Sequence, residues 1–204
     1  MSLIRGCFVC VSMAFALLFA APGDAQARDE RVVSQVDAKL LSKKKQTRLG
    51  LYVTAAEAGE LLKSHSDILL IDVRTRAEAM FVGMPIPAVK NIPFLHLGSY
   101  AYHPKKKTYK LDPNPSFAGE LARLVEQRGG DKSTTLILMC RSGTRSAKAA
   151  NELAKLGYAN VYSMVDGFEG DSDKQGRRTV NGWKNAGHPW TTKLEQERLY
   201  KEPK

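Results

Sequence analysis

Residues 135–139 read TLILM, an unbroken apolar run, and they lead straight into Cys140, Arg141, Ser142, Gly143, Thr144, Arg145 and Ser146. An apolar run without polar alternation suits a strand covered on both faces, as in a parallel sheet. Beyond the loop, Ala147, Ala150, Leu153 and Ala154 recur at helical spacing up to about Leu156, and Gly157 stands where the helix would stop. A buried strand that turns at once into a helix is a βα unit. Residues 68–73 form a second run of the same kind, interrupted by Asp72. Residues 51–53, 89–92 and 161–165 predict further short strands. Thr54 with Glu57 three residues on is a capping box for a helix over 55–63; residues 74–81 and 117–127 predict two more helices. Strands alternating with helices predict an α/β fold of three layers, a mainly parallel central sheet flanked by helices.

The strand-to-helix junction at 140–146 is also the chemical centre of the sequence. Open α/β sheets bind ligands beyond the carboxyl ends of their strands. A helix N-terminus there offers unpaired N–H groups and the positive end of the dipole, a natural anion site. Gly143 supplies the backbone freedom a curled loop needs, and Arg141 and Arg145 add fixed positive charge. A thiol at the centre of such a cradle is expected to be held as thiolate, ready to attack sulfur or phosphorus, while the cradle binds the anionic substrate. Buried cysteines are often inert, but a glycine and two arginines beside this one favour a reactive thiol.

The first segment belongs to a different argument. Arg5 precedes a run of apolar residues over 7–21, Pro22 and Gly23 break it, and Ala25, Gln26 and Ala27 form a small-x-small cleavage signal. The pattern predicts a secretory signal peptide over 1–27, an exported protein in the periplasm or outside the cell, and no transmembrane anchor after cleavage. Cys7 and Cys10 would leave with it, so Cys140 would be the one cysteine of the mature chain and could form no internal disulfide. The formal net charge is +10, with basic clusters at 43–45, 105–107 and 177–178. In an exported protein such charge points to small anions, anionic lipid or an acidic partner protein rather than to nucleic acid. The four histidines, His65, His96, His103 and His188, lack metal-ligand spacing, so no metal or other cofactor is expected. The expected organisation is a basic arm over 28–48, one domain over 49–190 and a polar tail over 191–204. Residues 96–115, rich in Tyr and Lys and without period, read as a long inserted loop, a class usually functional or mobile. Trp183 and Trp190 read as tail residues clamped on the core.

The segment 140–146 closely resembles the active-site loop of the rhodanese-like sulfurtransferases. Leu70, Ile71, Asp72, Val73 and Arg74, with Glu78 following, are similar to that family's Asp-Val-Arg segment; Asn91, Ile92 and Pro93, and Asp166, Gly167 and Phe168, resemble further parts of it. The resemblance implies a sulfurtransferase of the thiosulfate sulfurtransferase type. Its cysteine, Cys140, takes sulfane sulfur from a small anionic donor such as thiosulfate and passes it from a persulfide to cyanide or a thiol. It implies that Arg141, Ser142, Gly143, Thr144, Arg145 and Ser146 form the anion cradle, largely through backbone N–H groups. Cysteine phosphatases have five residues between Cys and Arg; here four lie between Cys140 and Arg145, which favours the sulfur chemistry. Asp72 and Arg74 support either of two readings: Asp72 orients an arginine of the loop, or the two form a salt bridge that holds the fold. The family's usual Gly-His-Ile-Pro-Gly-Ala-like stretch appears as Gly83, Met84, Pro85, Ile86, Pro87 and Ala88, without the histidine. Two alternatives to an efficient enzyme are a sulfur carrier or partner-docking module with little turnover, and a cysteine phosphatase.

Overall fold

The computed structural model describes residues 28–201; the signal peptide expected over 1–27 lies outside the described residues. Its centre is a five-stranded sheet of β1 (Tyr52–Val53), β2 (Leu69–Asp72), β4 (Ala88–Asn91), β9 (Leu136–Met139) and β10 (Val161–Met164). The spatial order is β1-β10-β9-β2-β4, and every neighbouring pair is parallel. Leu69 lies opposite Leu136, and Val161 also lies opposite Leu136, so β9 is flanked on both sides. Parallel strands buried on both faces need continuous apolar sequence, which explains why ILLIDV and TLILM lack alternation.

Alternate side chains of each strand feed two cores. Leu69, Ile71, Leu136, Leu138 and Val161 face helices α3 (Phe117–Gln127) and α4 (Thr144–Lys155). Leu70, Ile137, Met139, Tyr162 and Met164 face the other way, toward Ala55 and Ala58 of α1 (Ala55–Ser64) and toward Met84, Phe168 and Trp183. Each such side chain contributes roughly 1.5–3 kcal/mol when fully buried. The Thr54–Glu57 capping box starts α1, and a second one, Thr75–Glu78, starts α2 (Arg76–Val82). Helix α2 therefore begins two residues later than expected: Arg74 is claimed by Asp72, and Thr75 caps.

Three segments differ from the expectation. Residues 83–87, where no strand was expected, carry β3 (Met84–Pro85), which pairs antiparallel with β11 (Trp190–Thr191). Residues 96–115 are not a structureless loop but a ribbon. At its base β5 (Leu95–His96) pairs with β8 (Asp112–Pro113), and at its tip β6 (Tyr102–His103) pairs with β7 (Thr108–Tyr109). The period was invisible because each strand is two residues long. Finally, the last segment is more than a polar tail. Tyr200 is buried and donates its hydroxyl to Asn114, and Arg198 donates to the carbonyls of Pro85 and Ala88. Of the two tryptophans, Trp183 is buried in the core while Trp190 is 39 % exposed.

Candidate active site

Cys140 follows β9 directly, at the carboxyl end of the sheet's central strand. The loop then curls over its side chain: Gly143 donates its N–H to Cys140 Sγ at 3.2 Å, and Ser146 Oγ lies 3.7 Å from the same sulfur. Gly143 is the N-cap of α4 and sits at φ 92°, a left-handed conformation that a side chain would strain. A Cβ there would also run into the Val165 carbonyl. The glycine is thus required twice, by its dihedral and by its neighbour. Cys140 is 1 % exposed, so a small donor reaches its sulfur far more easily than a bulky one.

The loop is fixed from behind by residues 166–170. Phe168 and Glu169 donate their N–H groups to the carbonyls of Cys140 and Arg141 at 2.8 and 3.1 Å, and Gly170 joins the second at 3.2 Å. Gly167 has φ 67°, and a Cβ on it would strike the Cys140 and Arg141 peptide. With the Cys140 and Arg141 carbonyls held from behind, the Gly143 N–H is the loop amide seen to meet the sulfur. Asp166 pins this segment in turn, accepting from the N–H groups of Ala55 and Gly182; burial raises its carboxyl above the usual range against those bonds.

Below the loop, Ser163 of β10 donates its hydroxyl to Ser146 Oγ at 3.0 Å, and Ser146 in turn donates to the Gly143 carbonyl at 3.0 Å. Both serines are fully buried. Arg145 is held by Glu78, with Nη1 and Nη2 at 2.6 and 2.5 Å from the two carboxylate oxygens. Burial raises the Glu78 carboxyl, but the hydrogen bonds and charge of Arg145, helped by Thr75, outweigh it and bring the pKa down to about 2. Burial lowers Arg145, but Glu78, then the charges of Cys140 and Asp72, raise it further. The same Glu78 oxygen that meets Arg145 accepts from Thr75 at the start of α2. One carboxylate therefore joins a helix cap to the loop.

Of the expected cradle residues, Gly143 and Ser146 meet the Cys140 sulfur and Arg145 turns its guanidinium to Glu78; Arg141 is exposed, and Ser142 and Thr144 are half-buried. Among the described residues, the hydrogen bonds to the Asp72 carboxylate come from Arg74, and Asp72 acts on loop residue Arg145 through its charge only. Its carboxylate is bound to Arg74 at 2.6–3.2 Å, with both side chains wholly buried. Arg74 also donates to the Gly83 carbonyl and stacks on the Phe168 ring at 4.0 Å. The pair ties the end of β2, the end of α2 and the segment behind the active loop to one another, which is a positioning role. Sequence reasoning missed Glu78 as the partner of Arg145, and missed Ser163. A Thr-x-x-Glu spacing does announce Glu78 as a capping residue; Ser163 depends on strand order and left no signal. An open cleft of about 560 Å3, lined by Asp29, Arg31, Asp67, Arg128 and Thr135 among others, lies at the amino ends of β2 and β9, the far end of the sheet.

The rhodanese-like domain profile matches residues 54–174, which contain the loop, Glu78, Ser163 and the 166–170 segment behind it. The chain belongs to the rhodanese-like domain family. Among its relatives, the uncharacterized protein RC0915 of Rickettsia conorii is 34 % identical over 140 residues, 68 % of this chain and 94 % of that one. The Drosophila melanogaster rhodanese domain-containing protein CG4456 is 31 % identical over 113 residues, 55 % of this chain and 89 % of that one. The crystal structure of Rv0390 from M. tuberculosis superposes with a TM-score of 0.52 at 31 % identity, covering 69 % of this chain and 96 % of that one.

Proposed function

We propose that this protein is an exported sulfurtransferase that carries sulfane sulfur from a small anionic donor, such as thiosulfate, to a thiophilic acceptor through a persulfide on Cys140. The observation that carries the reading is the recessed Cys140 sulfur, at a strand end, receiving the Gly143 N–H at the start of α4. The thiolate attacks the outer sulfur of thiosulfate; the new S–S bond forms as the donor's S–S bond breaks, and sulfite leaves with the electron pair. The persulfide keeps a single negative charge at its outer sulfur, where the N–H groups and the helix dipole stabilise it. Cyanide or a thiolate then attacks that outer sulfur and the Cys140 thiolate is restored. Neither half-reaction needs a general acid, which accords with Glu78 and Asp72 both being bound to arginines. A phosphatase would need an acid for its leaving group, and the four-residue spacing of the loop also favours sulfur.

Intact mass spectrometry tests the reading. The reduced chain incubated with thiosulfate should gain one sulfur atom, lose it on adding cyanide, and fail to gain it as Cys140→Ser. Absence of any sulfur gain from thiosulfate and from polysulfide would refute it. Loading without repeated turnover would instead identify a sulfur carrier.

A further inference from the structure

We propose that the 96–115 ribbon is a docking element for an acidic protein that accepts sulfur from Cys140. The proposal rests on the sulfur-transfer reading for the acceptor's chemistry but not for the docking. Three observations support it. First, the ribbon leaves the carboxyl end of β4, and that is the end of the sheet where Cys140 follows β9. Its base is closed there, as Phe94 N–H donates to the Val73 carbonyl and Asn114 N–H to the Phe94 carbonyl. Second, its tip is a cation without counter-charge in sequence. Residues 97–111 carry Lys105, Lys106, Lys107 and Lys110 and no Asp or Glu, and all four lysines are exposed.

Third, the tip keeps large aromatic surface in water. Tyr100, Tyr102 and Tyr109 are 66, 60 and 58 % exposed, and the first and last meet edge to face at 6.3 Å. A merely solvating basic loop has no use for three rings. Exposed tyrosines are the side chains that anchor protein interfaces, and surrounding charge steers the encounter. A two-stranded ribbon of this size is marginal by itself and gains order when a partner covers it. A lipid surface would also attract lysine and tyrosine, but it has no thiol to bring to Cys140; the placement beside the active end favours a protein.

The probe is a fluorescein-labelled peptide rich in Asp and Glu, without cysteine, titrated against the whole chain by anisotropy. Two variants remove equal charge: Lys105→Gln with Lys106→Gln and Lys110→Gln on the ribbon, and Lys39→Gln with Lys43→Gln and Lys44→Gln on the arm. The ribbon variant should bind at least tenfold more weakly, the arm variant less than twofold, and Tyr102→Ser with Tyr109→Ser should weaken binding even in high salt. Equal losses in the two charge variants, or no binding, would overturn the proposal. So would a ribbon dependence seen only with phosphatidylglycerol vesicles and not with the peptide. The same acidic peptide carrying one cysteine should discharge persulfide from Cys140 about tenfold faster than a basic one, an advantage lost in the ribbon variant while discharge by cyanide is unchanged. Failure of all sulfur loading would strike the sulfur-transfer reading alone, since the anisotropy result decides docking without it.

Discussion

At Gly143 two independent constraints converge, a φ of 92° and a Val165 carbonyl where a Cβ would stand. Gly143→Ala should therefore displace the loop rather than merely strain it. We expect a loss of about 2–4 kcal/mol, in the range of strained-backbone and overpacking substitutions, seen as a lower urea midpoint, together with failure to form the persulfide. Unchanged loading would mean that the loop relaxes around the new methyl. Ser163→Ala probes the other side of the sulfur. It removes the donor to Ser146 and should cost about 1 kcal/mol, the order of a buried hydrogen bond, measured by denaturant unfolding. Cys140, Gly143 and Arg145 were legible in the sequence because they lie together in one contiguous segment. Ser163 was not, because it reaches Ser146 only through the pairing of β10 with β9, a long-range fact that no window of sequence contains.

Among the elements, α2 shows how a cap can serve a site. Glu78 accepts from Thr75 at the helix start and pairs with Arg145 across to α4. Its folded-state pKa of about 2 lies below the ordinary 4.5, so its stabilisation is complete above the unfolded value and is lost as pH falls through the folded one. The size of the shift corresponds to about 3 kcal/mol, at roughly 1.4 kcal/mol per pH unit. The difference in unfolding free energy between wild type and Glu78→Gln should thus be near that value at pH 6–7 and shrink between pH 4.5 and 2. A difference independent of pH would mean that the amide's poorer packing, not the lost charge, is responsible. The helices were readable from periodicity and capping boxes, and the buried strands from unbroken apolar runs. The ribbon and the β3–β11 pair were not, since two-residue strands carry no period and are stabilised by what they pair with.

For the molecule as a whole, the flanking segments behave as parts of the domain. Asp29 donates its backbone N–H to the Asn160 carboxamide, Gln35 donates its N–H to Glu57, and Lys45 pairs with Asp171, so the arm runs across both α1 and the loops near β10. At the other end, Arg198 spans the carbonyls of Pro85 and Ala88, and Tyr200 fills a place in the core that includes Phe117, Leu121 and Ile92. Composition alone makes 191–204 look solvated, because Tyr200 and Arg198 are scattered among Lys and Glu and their partners lie about a hundred residues away. Removing residues 195–204 tests which description holds. It uncovers the Tyr200 site, leaves the Asn114 carboxamide oxygen without its hydroxyl partner, and strips two carbonyls of the Arg198 guanidinium. The aromatic alone is worth roughly 3 kcal/mol when deleted from a core, so the truncated chain should unfold at a clearly lower urea concentration than the full one. Sulfur loading at low temperature should be retained, because the hydrogen bonds of Arg198 and Tyr200 go to Pro85, Ala88 and Asn114 rather than to the 140–146 loop. An unchanged midpoint would show that the segment is held by the domain without holding it; loss of loading at full stability would place the tail in the site instead.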